Sequence, residues 1–136
     1  MKIKLDKGAI KPTRAHAQDA GLDLYTPEDV IIGPQAYKVI NTGVHVELPA
    51  GTYGRVASKS GLMTKAGIIT DGTVDEGYTG PICVCLFNTS LIPKKFEKGD
   101  KIAQLVIMPC VKPELEFVDS LEDTERGSDG FGSTGR

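Results

Sequence analysis

Three stretches of this chain carry residue types that could act on a phosphorylated ligand. The first is the terminal run Arg126-Gly127-Ser128-Asp129-Gly130-Phe131-Gly132-Ser133-Thr134-Gly135-Arg136. Its glycines can turn the backbone through positive φ and present amide N–H groups in series, the geometry of an anion-binding nest. Ser133 and Thr134 add hydroxyl donors, Arg126 can fork onto phosphate oxygens, and Phe131 offers a face for stacking a nucleobase. This composition reads either as a phosphate-and-base clamp or as a mobile Gly/Ser terminus. The second stretch, Ser58-Lys59-Ser60-Gly61, sets a cation between hydroxyls at a strand-to-helix turn. It is either a phosphate cradle or an ordinary helix N-cap. In the third, Gly72–Gly80, Asp75 and Tyr78 stand three apart in a glycine-punctuated hairpin. Asp75 is there either a general base or a turn aspartate beside a half-buried tyrosine.

The elements that must position these residues read as strands. Short runs rich in Val, Ile, Leu and Tyr alternate with Pro/Gly/Asp/Asn turns, and no long segment has a helical period. Strands are expected at Lys2–Lys4, Leu22–Leu24, Val30–Ile32, Tyr37–Asn41, Val44–Glu47, Gly51–Ala57, Ile68–Thr70, Gly72–Val74, Gly80–Asn88, Lys101–Pro109 and Leu115–Phe117. Ser60–Lys65 is the one expected helical segment, and Pro93–Asp100 reads as a charged surface turn. A chain of 136 residues with this pattern predicts one all-β domain, a distorted jelly-roll or β-barrel over residues 1–119. The apolar content collapses after Leu121, so residues 120–136 read as a flexible C-terminal arm.

A net charge of −2 argues against a protein that coats nucleic acid, which needs a basic face. No apolar run is long enough to span a membrane, and Met1–Asp6 alternates polar with apolar residues, unlike a signal peptide. The expectation is a cytoplasmic protein that binds neither membrane nor nucleic acid. Cys83, Cys85 and Cys110 are odd in number and lack metal-ligand spacing. Cys83 and Cys85 should share one strand face as small hydrophobes packed in the core. His16 and His45 neighbour no nucleophile pattern, so no catalytic role is expected of either.

Taken together, the three stretches resemble the motifs of the trimeric deoxyuridine triphosphatase (dUTPase) family, over nearly the whole chain. Ala20-Gly21-Leu22-Asp23-Leu24 looks like the first motif, Ser58–Leu62 the second, Gly72–Gly80 the third, Gly99–Leu105 the fourth and Arg126–Gly135 the fifth. The resemblance implies hydrolysis of dUTP to dUMP and pyrophosphate, with Asp75 as the base that activates water. Tyr78 would pack on the deoxyribose and leave no room for a 2′-hydroxyl. Main-chain groups around Ile68–Val74, including Gly72, Thr73 and Val74, would read uracil, with Cys83 also contacting substrate. Lys59, Ser60, Gly61 and Gln104 would hold the inner phosphates. Arg126, Gly130, Gly132, Ser133 and Thr134 would close on the γ-end while Phe131 stacks on the base. Asp23 would be a supporting residue. One Mg2+ is implied, held mainly through phosphate oxygens and water, with sites shared in a homotrimer. The 17 residues from Ser120 reach at most ~56 Å at ~3.3 Å each, so the arm could serve a neighbour.

The chain departs from the family pattern at Lys59, usually arginine, at Gly77 and Thr79, often an acid and an arginine, and at Asp129, often glycine. Lysine keeps the charge of arginine but loses its fork. Two other readings remain open. A deoxycytidine triphosphate deaminase shares the fold and resembles the chain around the third motif, but would act through a glutamate and leave the Phe131-bearing tail unused. A nucleotide-gated regulatory protein would keep the pocket without requiring Asp75.

Overall fold

The computed structural model describes residues 1–128. Among these the chain is built from short strands: β1 (Lys2–Leu5), β2 (Gly21–Tyr25), β3 (Val30–Ile32), β4 (Tyr37–Asn41), β5 (Val44–Glu47), β6 (Thr52–Ala57), β7 (Ile68–Ile69), β8 (Asp71–Val74), β9 (Cys83–Asn88), β10 (Lys94–Phe96) and β11 (Lys101–Pro109). A single π-helical turn, Leu62–Ala66, is the one helical element among the described residues. Ser60 and Gly61 are helical as well, so helical backbone begins where expected, runs one residue past Lys65 and ends at Gly67, whose φ of 66° suits glycine.

All strand pairs are antiparallel. The largest sheet runs β2-β11-β6-β8, a second runs β4-β9-β7, and two-stranded pairs β1-β5 and β3-β10 complete a distorted jelly roll. Alternation places Leu24, Ile40, Val56, Val84, Leu86, Ile102 and Leu105 in one shared core. Asn88 is fully buried, yet its amide donates to the carbonyls of Gly33 and Ile92 at 2.9 and 2.8 Å and its oxygen accepts from Ser90. These bonds tie the end of β9 to the loop after β3, as a buried amide requires.

Three expectations are corrected. Cys83 and Cys85 share a face of β9, but it is the outer one, and both are exposed. The run Cys83–Phe87 is apolar throughout, so its composition could not say which alternate set points inward; the bulkier Val84 and Leu86 fill the core. The stretch Pro93–Asp100 is not all turn. Lys94–Phe96 pairs with Val30–Ile32 and buries Phe96, and the turn narrows to Glu97–Asp100, where the Asp100 carboxylate accepts from the Glu97 amide at 2.8 Å. Leu115–Phe117 forms no strand: it pairs with no edge, and Leu115 and Phe117 stand exposed.

Candidate active site

Asp23, on β2, is the most buried charged residue near the motif stretches. Its carboxylate bonds the ammonium groups of Lys59 and, at 2.7 Å, Lys101. Burial pushes the Asp23 carboxyl up, but Lys101 and Lys59 outweigh it and hold it below the ordinary 3.8. Its contribution to stability is therefore complete above the ordinary value and is lost as pH falls through the depressed one. The same contact raises the Lys101 ammonium. Gln104 lies opposite both Asp23 and Ala57 in the strand registers and donates to the Ser58 carbonyl at 3.2 Å.

These residues converge because β11 lies between β2 and β6 and Ser58–Gly61 runs directly out of β6. Lys59, Ser60, Gly61, Leu62, Lys101 and Gln104 line a polar cavity of about 290 Å³. Its charged lining is two ammonium groups, Lys59 and Lys101, set against the Asp23 carboxylate, and Ser60 and Gln104 add hydrogen-bond donors. The N-cap reading of this stretch does not hold. Gly61 caps the helical turn without a side-chain bond, Ser60 is exposed, and Ser58 instead bonds Thr70 through both its donor and acceptor functions. Lys101, within the stretch Gly99–Leu105, enters the site as a second cation, and its signal in the sequence is a lysine three residues before Gln104 on the same strand.

The third stretch forms a different cavity, of about 350 Å³, lined by Val56, Gly72, Thr73, Val74, Asp75, Tyr78, Pro81, Ile82 and Cys83. Strand β8 pairs with β6 along one side only, so its outer edge presents main-chain N–H and C=O groups that no strand occupies. Beyond β8 the chain turns, with the Tyr78 amide donating to the Asp75 carbonyl at 3.1 Å. Gly77 sits in that turn at φ 88°, a conformation that the acid often found there would adopt with strain. The turn leaves Asp75 exposed and folds Tyr78 back over Gly80, its hydroxyl donating to the Pro81 carbonyl at 3.0 Å. Cys83 thus lines the cavity from the outer face of β9 and is not a core residue.

Glu76 points the other way. It accepts from the Gly51 amide at 3.1 Å and from Lys112, which together hold its carboxyl below the ordinary range, Lys112 contributing most. A carboxylate so occupied is a fastening, whereas Asp75 faces the cavity. The sequence-predicted residues therefore fall into two sets, Lys59, Ser60, Gly61 and Gln104 in one cavity and Gly72, Thr73, Val74, Asp75, Tyr78 and Cys83 in the other. Arg126 is exposed in the segment after β11, and Gly130, Phe131, Gly132, Ser133 and Thr134 lie outside the described residues. Among the described residues, no group of three or more His, Cys, Asp or Glu side chains could hold a metal ion. No helix there is long and apolar enough to cross a membrane.

Comparison with known proteins bears on this arrangement. The deoxyuridine 5′-triphosphate nucleotidohydrolase of Gloeothece citriformis is 48% identical over 135 residues, which cover 97% of this chain and 93% of that protein. A solved structure of the Staphylococcus bacteriophage 80alpha dUTPase with dUpNHpp is 34% identical at a TM-score of 0.93, covering 99% and 98% of the two chains. A mutant dUTPase from phage phi11 of S. aureus, described as revealing the coordination of a structural Mg(II) ion, is 31% identical at a TM-score of 0.82, covering 90% and 98%. The dUTPase family model matches residues 7–135, which takes in both cavities and the tail motif, and the chain belongs to the dUTPase family.

Proposed function

We propose that this chain is a dUTP diphosphatase in which Asp75 activates the water that attacks the α-phosphorus, releasing dUMP and pyrophosphate and so keeping uracil out of DNA. The observation that carries this reading is the second cavity, where an exposed carboxylate, a tyrosine ring and the open edge of β8 face one space. Uracil pairs an N3–H donor with a neighbouring O4 acceptor, and cytosine reverses both. Fixed main-chain groups on β8 would be left unpaired by the wrong base, a penalty that discriminates strongly. The Tyr78 ring supplies a flat wall for a deoxyribose and excludes a 2′-hydroxyl. Asp75 takes the proton from water as the new oxygen–phosphorus bond forms, and pyrophosphate carries away the electrons of the bond that breaks.

The positive cavity suits the phosphates, with Ser60 and Gly61 exposed to bind them and Lys59 and Lys101 held in place by Asp23. Separation of the base-side and phosphate-side residues into two cavities supports a homotrimer in which each site is shared between subunits. The exposed outer face of the β4-β9-β7 sheet, with Tyr37, Val39 and Ile69, supports the same assembly, since apolar area of this kind is ordinarily covered. Arg126, Gly130, Phe131, Gly132, Ser133 and Thr134 would complete the site from the arm, residues 120–136, leaving residues 1–119 as the folded body. Magnesium fits through the substrate: the described residues hold no carboxylate cage, so the ion would be held mainly by substrate phosphates and water, while the amides, hydroxyls and ammonium groups bind the phosphate oxygens left over. When bound it would supply positive charge that the few cations lack. Three free cysteines and the absence of a membrane-spanning helix among the described residues support a cytoplasmic setting.

The deciding experiment is pyrophosphate release with Mg2+ from dUTP, set beside dCTP, dTTP and UTP. Release from dUTP alone is expected; ammonia from dCTP, or binding without turnover, would replace this reading with the deaminase or the regulatory one. The role of Tyr78 has its own test. A Cβ at Gly80 would lie 2.6 Å from Tyr78 Cζ, so Gly80→Ala must push the exposed ring outward. The expected result is a thermal midpoint within about 2 °C of the parent and a KM for dUTP raised about tenfold, with weaker rejection of UTP.

A further inference from the structure

The loop that carries Asp75 and Tyr78 is fastened to β5 and the turn that leads into it at two points. At one, the Ile82 amide donates to the Val44 carbonyl at 2.8 Å and the Ile82 carbonyl accepts from the Thr42 amide at 3.1 Å and from its hydroxyl at 2.7 Å. At the other, the His45 ring lies between two acceptors. Nδ1 is 2.7 Å from the Thr79 carbonyl and Nε2 is 3.0 Å from the Asp6 carboxylate. Asp6 is itself anchored, its amide donating to the Gly43 carbonyl at 2.9 Å. The first fastening is made of groups that do not titrate, and the second is not.

We infer that His45 is a positioning residue for the dUTP reaction: it clasps the Thr79 carbonyl to Asp6 and so sets where Tyr78 stands over the sugar. A carbonyl and a carboxylate can only accept, so both ring nitrogens must carry protons for both bonds to exist. The clasp is therefore complete only in the imidazolium. A neutral ring keeps one N–H and turns a lone pair on the other acceptor, releasing either Thr79 or Asp6. The charged surroundings favour the closed form. Hydrogen bonds to Asp6 and to the Thr79 carbonyl raise the His45 ring above its ordinary 6.5, against burial and the nearby Lys4. Lys4, opposite His45 on β1, lies 3.6 Å from the Asp6 carboxylate, while Lys2 and Glu47 in the same groove pair with each other. The loop itself faces the ring with the Thr79 carbonyl. A raised value means that the clasp is whole below pH 6.5 and opens as pH rises through the higher one. Tyr78 then loses one of its two neighbouring restraints, while Ile82 stays in place.

This inference rests on the dUTP reading for its kinetic consequence but not for its geometry, and the test separates the two. The His45 ring and the Tyr78, Thr79 and Gly80 amides are followed by NMR across pH, together with KM and kcat for dUTP. The expected result is a common midpoint for the ring and the three amides, with KM rising about fivefold through it and kcat changing less than twofold, the worth of one net hydrogen bond. Asp6→Asn should carry both midpoints to lower pH. His45→Phe should show the raised KM at every pH, and His45→Gln, which keeps a single donor, a flat profile at an intermediate KM. Amides that ignore the His45 titration, or a His45→Phe enzyme with the parent KM and profile, would overturn the clasp. If dUTP is not hydrolysed at any pH, the functional reading fails and the amide titration alone decides the inference.

Discussion

Asp75→Asn is expected to lower kcat for dUTP by about 10³-fold while leaving nucleotide affinity within about threefold of the parent. Asparagine matches aspartate in size and keeps an acceptor oxygen, so the turn through Tyr78 and Gly77 should be undisturbed; what it lacks is a basic site for the proton of water. Its neighbour sharpens the prediction. Glu76 is the adjacent carboxylate, but the Gly51 amide and Lys112 occupy it, and its turn-fixed position points it away from the cavity that Asp75 lines. It cannot step in as a substitute base. The measurement is pyrophosphate release in parallel with calorimetric binding of a non-hydrolysable dUTP analogue. Turnover within tenfold of the parent, with binding intact, would remove Asp75 from the base role and send the search for a base to another residue.

Truncation after Glu125 should be nearly as damaging, reducing turnover by about 10³-fold without unfolding the body. The structural ground is that every described residue from Val111 onward is exposed, while the last buried side chain is Leu105 on β11. Removing Arg126–Arg136 should therefore leave the core packing intact, with the thermal midpoint within about 2 °C of the parent. The functional ground is what the deleted residues could supply. Serial amides, hydroxyls and a guanidinium would face the outer phosphates, and Phe131 would exclude water over the base, contributions realised mainly as the site closes. Circular dichroism and a melting curve run beside the kinetic assay separate the two grounds. A truncated chain that turns over dUTP at the parental rate would free the tail of any part in the reaction.

Much of the site was legible from residue type and local spacing. Asp75, Gly77 and Tyr78 announce a turn that exposes an acid, because a glycine at positive φ between them can be read without knowing any distant contact. The same spacing could not say that Ser58 would be consumed by Thr70 and Ser60 left open, since that depends on β8 pairing with β6, which brings Thr70 beside Ser58. Nor could it assign Lys59 its partner: the bond to Asp23 joins residues 36 positions apart through β11. His45 carried no local pattern at all. Its two acceptors, Asp6 and Thr79, lie 39 and 34 residues away on opposite sides in the sequence.

The amino-acid sequence by itself determined an all-β chain, the position of nearly every strand and the stretches proposed to carry the chemistry, because period-two alternation, turn residues and motif spacing are local properties. Only the tertiary structure decided that β9 turns Val84 and Leu86 inward and Cys83 and Cys85 outward, that Lys94–Phe96 finds an edge on β3 while Leu115–Phe117 finds none, and that the two halves of the site line separate cavities. The physical reason is the same in each case. A strand's face and partner are set by which distant edge it pairs with and in which register, and a shift of one residue exchanges its two faces.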